Sequence, residues 1–203
     1  MITDFLEFKI SIIIIYSIFT VIRVNSRRIV RKHTKIVKKE INSIDQLILY
    51  SFIFYELITF GFYLFSDFLN WGSYAPVIWL SWIGVSIGVL SLLLFLWVHI
   101  SLGKYFSYKI QITENQPLIQ EGPYKYVRHP MYIAFFLLHI SVFLVTSNWF
   151  IGITWIGGLF FFLYTRIQKE ENILHEHFGK AYEDYSAKTG RFLPKLFGNK
   201  IKD

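Results

Sequence analysis

The chain has no cysteine, and this absence removes several kinds of chemistry. Disulfides, thiolate nucleophiles and cysteine-ligated zinc are all excluded. Low-complexity linkers and internal repeats with a period of about 20 to 50 residues are also missing. We therefore treat residues 1–203 as a single domain.

Charged residues are scarce, at 17%, and long apolar stretches separate them. Hydrophobic residues make up 54% of the chain, aromatic residues 20%, and the mean hydropathy is +0.42. A helix of roughly 17 to 25 residues crosses a hydrocarbon layer about 30 Å thick. Lipid offers no hydrogen bonds to backbone N–H and C=O groups, so that these groups must be paired within the helix. The sequence predicts an all-α polytopic membrane bundle of about five transmembrane helices, at residues 5–24, 47–65, 75–100, 130–147 and 149–165.

Positive charge is distributed unevenly between the loops of this bundle. Lys and Arg residues crowd the segments 23–39, 101–129 and 166–203, whereas the loop 66–74 has none. Because basic loops stay in the cytoplasm, we expect the amino terminus outside and the carboxyl terminus inside. The net charge of +7 then reflects topology and attraction to anionic membrane lipid, and a nucleic-acid partner is unnecessary. Residues 1–100 would hold three spans and a basic loop, and residues 101–203 a helical hairpin at 130–165 and a cytoplasmic helix.

One short stretch, "EGPYKYVRHPMYIAFFL" at residues 121–137, places polar residues directly before a predicted span. Gly122 and Pro123 indicate a turn, and Pro130 suits the first turn of a helix, which makes His129 its N-cap. Arg128 and His129 would then lie beside free backbone N–H groups and the positive end of a helix dipole. The pattern favours binding of a carboxylate or a phosphate; alternatively, Arg128 marks the cytoplasmic edge and contacts lipid phosphate.

A second polar cluster follows the last predicted span. Arg166 and Glu170 are four residues apart, hence on one helix face, and Glu171 is adjacent. An ordinary ion pair within the helix is one interpretation of this spacing. Together with His129, however, the cluster could hold a zwitterion, with its carboxylate at the helix start and its ammonium or hydroxyl groups at Glu170.

The run "LIQEGPYKYVRHPMYIAF" and the later "RIQKEENILHEHFGKAYEDYSAKTGRFLP" resemble the isoprenylcysteine carboxyl methyltransferase family and its phospholipid methyltransferase relatives. The resemblance covers roughly residues 100–194. It implies an integral membrane enzyme that transfers a methyl group from S-adenosylmethionine and releases S-adenosylhomocysteine. It also implies a cytoplasmic cofactor pocket in residues 101–203 and a tunnel that admits a lipidic acceptor from the bilayer.

The resemblance further implies roles for particular residues. Arg166 would position or activate the acceptor, and Glu170, with Glu171 beside it, would be the cofactor-binding acid, so that Arg166 and Glu170 form the catalytic pair. Many relatives have histidine where this chain has Gln116. The other expected cofactor-binding residues are Gln116, Pro117, Leu118, Ile119, Tyr124, Arg128, His129, Pro130, Met131 and Tyr132.

Several alternatives stay open. The acceptor could be a carboxylate, a phospholipid amine or a hydrophobic thiol; an NADPH-dependent sterol reductase and a non-enzymatic scaffold are rival functions. Glu56, inside a predicted span, is either functional or a neutral carboxyl bonded within the bundle, and His139 could line the tunnel. No metal site is expected, because His175 and His177 are too close together on a helix to form one with His129.

Overall fold

The computed structural model describes residues 2–33, 36–39, 43–106 and 111–195. Helices dominate, joined by short loops and three short 3-10 turns. Two short strands, β1 and β2, are the other regular elements of the described residues. The helices are α1 (Ile2–His33), α2 (Ser43–Phe65), α3 (Ile78–Leu102), α4 (Pro130–Thr146), α5 (Trp149–Phe178) and α6 (Lys180–Lys188); the strands are β1 (Ile36–Lys39) and β2 (Gln111–Thr113).

The helices form the membrane bundle that the hydropathy predicts. Among the described residues, three segments are long and apolar enough to cross a bilayer: Ile44–Phe65, Ile78–Tyr105 and Trp149–Phe178. Helix α4, with 17 residues, is a shorter apolar helix. Leu47, Phe54 and Leu57 on α2 are 63 to 66% exposed, as expected for side chains that face lipid. The all-α membrane bundle is therefore confirmed, whereas the number of five crossings stays a prediction.

A tight connection joins α4 to α5. Helix α4 ends at Thr146, and the left-handed backbone of its C-cap residue Ser147 (φ 47°) reverses the chain. The fully buried Asn148 then caps α5 by accepting a hydrogen bond from the backbone N–H of Ile151 at 3.0 Å. Its amide nitrogen donates to the carbonyl of Leu69 at 2.8 Å. One side chain thus starts α5 and fixes the loop that follows α2.

Small residues allow α3 and α4 to pack closely. A Cβ atom on Gly84 would lie 2.8 Å from Leu144 Cβ and 3.2 Å from the carbonyl oxygen of Ser141. Two turns further along this interface, the buried Ser91 hydroxyl donates to the carbonyl of Ala134 at 2.6 Å. The close approach of the two helix backbones therefore requires small residues at these positions.

Strands β1 and β2 form a small antiparallel ribbon that the sequence does not predict. Ile36 pairs with Thr113, and the register shifts between Ile36 and Lys38. Segments of four and three residues carry too little alternation to be recognised without the partner strand. The ribbon matters for the site because Thr113 donates both its backbone N–H and its hydroxyl to Gln116 Oε1, at 3.0 and 3.1 Å.

Replacement of Gly84 by alanine should destabilise the bundle by about 1 to 3 kcal/mol, since the added methyl group would overlap α4. The matched control is Gly157→Ala on α5, where a Cβ would meet nothing within 4 Å and alanine has the better helix propensity. Thermal unfolding in detergent should show a lower midpoint for Gly84→Ala only. Equal midpoints for both variants would contradict this packing.

Candidate active site

One cavity gathers nearly all of the residues that the sequence singles out. It has a polar end, defined here by Gln116, Tyr124, Tyr132, Arg166 and Glu170. It continues into an apolar arm, defined by Leu49, Phe52, Ile53, Phe135, Leu159 and Phe162 of helices α2, α4 and α5. Of the predicted site residues, those on its wall are Gln116, Pro117, Leu118, Ile119, Tyr124, Arg128, His129, Met131, Tyr132, Arg166 and Glu170; Pro130 and Glu171 are not.

The two proposed catalytic residues are linked through a tyrosine on the neighbouring helix. Tyr132 Oη donates a hydrogen bond to Glu170 Oε2, and Arg166 Nε donates to Tyr132 Oη at 3.0 Å. Tyr132 is buried, and the guanidinium carbon of Arg166 lies 5.4 Å from the centre of the Phe162 ring. This chain of contacts fixes the three side chains where the polar end meets the apolar arm.

Glu171 faces a different set of partners from its neighbour Glu170. Arg128 donates to Glu171 Oε1 through Nε and Nη2, both at 3.1 Å, and His129 Nε2 lies 3.2 Å from the same oxygen. Arg191 donates to both carboxylate oxygens, at 2.5 to 3.1 Å. The hydrogen bonds and the charge of Glu171 raise the pKa of Arg191. Glu171 therefore occupies the anion position that the sequence predicts at the start of α4.

The start of α4 has the predicted geometry. His129 is the N-cap residue and Pro130 the first helical residue. The imidazole of His129 stacks on the Tyr132 ring, with centroids 5.3 Å apart and an angle of 11°. Because Arg128 also donates through Nη1 to the carbonyls of Ser186 and Thr189, most of its N–H groups are used within the protein. Roles for Arg128 and His129 in holding a ligand stay predictions.

The segment after α6 closes over this corner of the site. The backbone N–H groups of Arg128 and His129 donate to the carbonyls of Gly190 and Arg191, at 2.8 and 3.0 Å. The Tyr185 hydroxyl on α6 donates to the carbonyl of Tyr124 at 2.7 Å. Burial, with the added charge of Glu170, raises the pKa of Tyr124 well above its usual value. The phenol of Tyr124 therefore stays a hydrogen-bond donor at the polar end.

Four residues make contacts at the site that the sequence does not reveal. Arg191 carries no local signal, since its partner is 20 residues away on another helix. Tyr185 lies 61 residues from its partner Tyr124, so its contact also has no local signal. Glu56 and His139 were noted separately, yet they form a pair: His139 Nε2 lies 2.7 Å from Glu56 Oε1, and both residues line the cavity. An ionisable residue in each of two spans was the available signal.

Among the described residues, no group of three His, Asp or Glu side chains is placed to hold a metal ion. The polar groups at this end of the cavity are instead carboxylate, guanidinium, phenol and amide groups. Such a set suits an organic ligand that carries both charges and hydroxyl groups.

The helices and the cavity define the class of this protein, an all-α membrane bundle that encloses a cavity with a polar end and an apolar arm. Its fold is similar to the solved structure of the eukaryotic intramembrane Ras methyltransferase, isoprenylcysteine carboxyl methyltransferase, with a TM-score of 0.54 and 24% sequence identity. The likeness covers 77% of this chain and 55% of that chain.

Residues 82–176 match the model of the isoprenylcysteine carboxyl methyltransferase family. A protein-S-isoprenylcysteine O-methyltransferase of Dictyostelium discoideum is 32% identical over 98 residues, 46% of this chain and 40% of the relative. The Tribolium castaneum protein of the same name is 29% identical over 125 residues, 61% and 44% of the two chains. The chain is thus similar to this family over residues 82–176, and the resemblance predicted from the sequence is confirmed. The chain spans less than half the length of these two relatives.

Loss of the Glu171 carboxylate should destabilise the protein more than loss of its exposed partner. Glu171→Ala leaves Arg128, whose side chain is 12% exposed, without its counter-charge, at a cost of about 3 kcal/mol or more. Arg191→Ala removes a side chain that is 50% exposed and should cost about 1 kcal/mol or less. Thermal unfolding of the two variants in detergent would measure the difference. The reverse order would contradict a central role for Glu171.

Proposed function

We propose that this chain is an integral membrane methyltransferase that moves a methyl group from S-adenosylmethionine to a hydrophobic carboxylic acid, as an isoprenylcysteine carboxyl O-methyltransferase does. The observation that carries the proposal is the linked set Arg166, Tyr132 and Glu170 at the junction of the polar end and the apolar arm. A polar cofactor and a hydrophobic acceptor would meet at this junction. The relation to the family supports the same assignment.

The polar end fits the proposed cofactor. Glu170 offers a carboxylate to hydroxyl or ammonium groups, and Leu118 and Ile119 contribute apolar surface on the loop after β2. The Tyr124 phenol and the start of α4 complete this wall. S-adenosylmethionine supplies a sulfonium methyl group that is already activated for transfer. The protein's task is then to orient the acceptor and exclude water.

The contacts favour a carboxylate acceptor over an amine or a thiol. A carboxylate needs no general base, and the guanidinium of Arg166 suits it geometrically. An amine or a thiol must lose a proton, which requires a base. Glu170 already accepts the Tyr132 hydroxyl, and Glu171 is occupied by Arg128, His129 and Arg191. Neither carboxylate is well placed to take that proton.

We place the polar end on the cytoplasmic side and the amino terminus outside. The loop 66–74, at the opposite end of the bundle, contains no Lys or Arg, whereas 101–129 and 166–195 contain ten. The proposed partners are therefore membrane lipid and a lipidic methyl acceptor that enters from the bilayer.

Substitutions at Glu170 and Arg166 should separate cofactor binding from transfer. Glu170→Ala should weaken the binding of S-adenosylhomocysteine about tenfold or more, because it removes a charged hydrogen-bond acceptor. Arg166→Ala should keep that affinity within a few-fold but reduce methyl transfer about a hundredfold, since Arg166 would contact the acceptor. Calorimetry on detergent-solubilised protein measures the first quantity, and radiolabel transfer in membranes the second.

The control is Gln168→Ala on the exposed face of α5, where Gln168 Nε2 donates to Asn172 Oδ1. Base-labile label would indicate a carboxyl ester, whereas base-stable label on a lipid headgroup would count against the carboxyl acceptor. Binding of NADPH together with indifference to S-adenosylmethionine and S-adenosylhomocysteine would contradict the methyltransferase assignment.

A further inference from the structure

A polar pair lies at the far end of the apolar arm, and the proposed reaction does not use it. Glu56 on α2 and His139 on α4 are in contact at 2.7 Å, and both line the cavity. His139 follows Tyr132 by seven residues on one helix, so the pair lies about 10 Å along α4 from the Arg166–Tyr132–Glu170 set. Apolar side chains, among them Phe135, Leu159 and Phe162, occupy the interval.

The protonation of this pair follows from its contacts. His139 Nδ1 donates to the carbonyl of Phe135 at 2.7 Å, which leaves Nε2 directed to Glu56 Oε1. The two groups therefore share one proton, either as neutral imidazole and carboxylic acid or as an ion pair. In both forms the pair is neutral as a whole, as its low-dielectric surroundings require. The ring of His139 is held between Phe52 and Trp155, with centroid distances of 6.1 and 5.9 Å.

One oxygen of the Glu56 carboxyl is left without a hydrogen bond. Its Oε1 contacts His139, whereas its Oε2 has no partner among the described residues. The Glu56 side chain is 17% exposed. Tyr16 contacts the same Trp155 ring as His139, and its buried hydroxyl also lacks a hydrogen-bond partner among the described residues. Burying a carboxyl and an imidazole inside a membrane bundle costs more free energy than burying apolar side chains of similar size. The carboxyl thus offers a hydrogen-bonding position to whatever occupies the arm.

We propose that Glu56, held by His139, selects a lipidic acceptor that carries a hydroxyl group about 10 Å from the atom that receives the methyl group. This inference rests on the proposed function for the position of that atom. The neutral pair disfavours a permanently charged group, while a hydroxyl can donate to Glu56 without bringing charge into the arm. A plain hydrocarbon would leave the carboxyl oxygen unpaired.

Two matched probes test the proposal by binding alone. S-hexyl-N-acetylcysteine and S-(6-hydroxyhexyl)-N-acetylcysteine differ by one terminal hydroxyl, and their dissociation constants would be measured on the detergent-solubilised protein with and without S-adenosylhomocysteine. The hydroxylated probe should bind about tenfold more tightly to the wild type, the gain expected for one hydrogen bond to such a group. Glu56→Leu should reduce this ratio to about one, and Glu56→Gln, which keeps a carbonyl acceptor, should retain part of it.

Tyr16→Phe is the matched control, because it removes a buried hydroxyl near the pair that is not on the cavity wall, and it should keep the preference. Equal affinities for the two probes, no affinity for either, or an unchanged ratio in Glu56→Leu would overturn the proposal. Failure of S-adenosylhomocysteine to bind, with the hydroxyl preference intact, would instead count against the proposed methyltransferase function. The two assignments can therefore fail separately.

Discussion

The Glu171 carboxylate connects three parts of the chain that are distant in sequence. It lies on α5, binds Arg128 and His129 at the start of α4, and binds Arg191 after α6. Without this anion, two basic side chains would lie together at the positive end of the α4 dipole. The position of the loop before α4, and with it one wall of the cavity, depends on this charge together with the backbone hydrogen bonds to Gly190 and Arg191. Burial makes the dependence stronger, because a buried cation without a counter-charge is costly.

Adjacent positions on a helix differ by about 100° in direction, and α5 uses this difference. Glu170 points to the cavity and contacts Tyr132, whereas Glu171 points to Arg128 and Arg191. The two acidic residues, which are adjacent in the sequence, therefore differ in their surroundings: Glu170 faces the cavity, and Glu171 faces basic side chains. The structural contact holds the helix in the rotation that directs Glu170 into the cavity.

The sequence reveals those features whose signals are local. Proline at position 130 locates the start of α4, and the spacing of Arg166 and Glu170 locates one face of α5. The pairs Arg191 with Glu171 and Glu56 with His139 depend on how separate helices pack, which no local pattern encodes. The ribbon of β1 and β2 is too short to be recognised before its two strands are brought together. The helical character of the apolar stretches can be predicted because lipid permits few other backbone structures, whereas their number as crossings stays a prediction.

The position of Arg166 explains why a site of this kind forms at a membrane boundary. A hydrophobic acid keeps its hydrocarbon in the bilayer, yet its carboxylate is costly to bury without a partner. Arg166 lies directly after the apolar part of α5, with its guanidinium over Phe162 and its Nε bound to Tyr132. At that depth a carboxylate can gain a charged partner while its chain stays among apolar side chains. Under the proposed function, the polar methyl donor would enter from the aqueous side and the acceptor from the bilayer, so that each would stay in its own solvent until it reached the site.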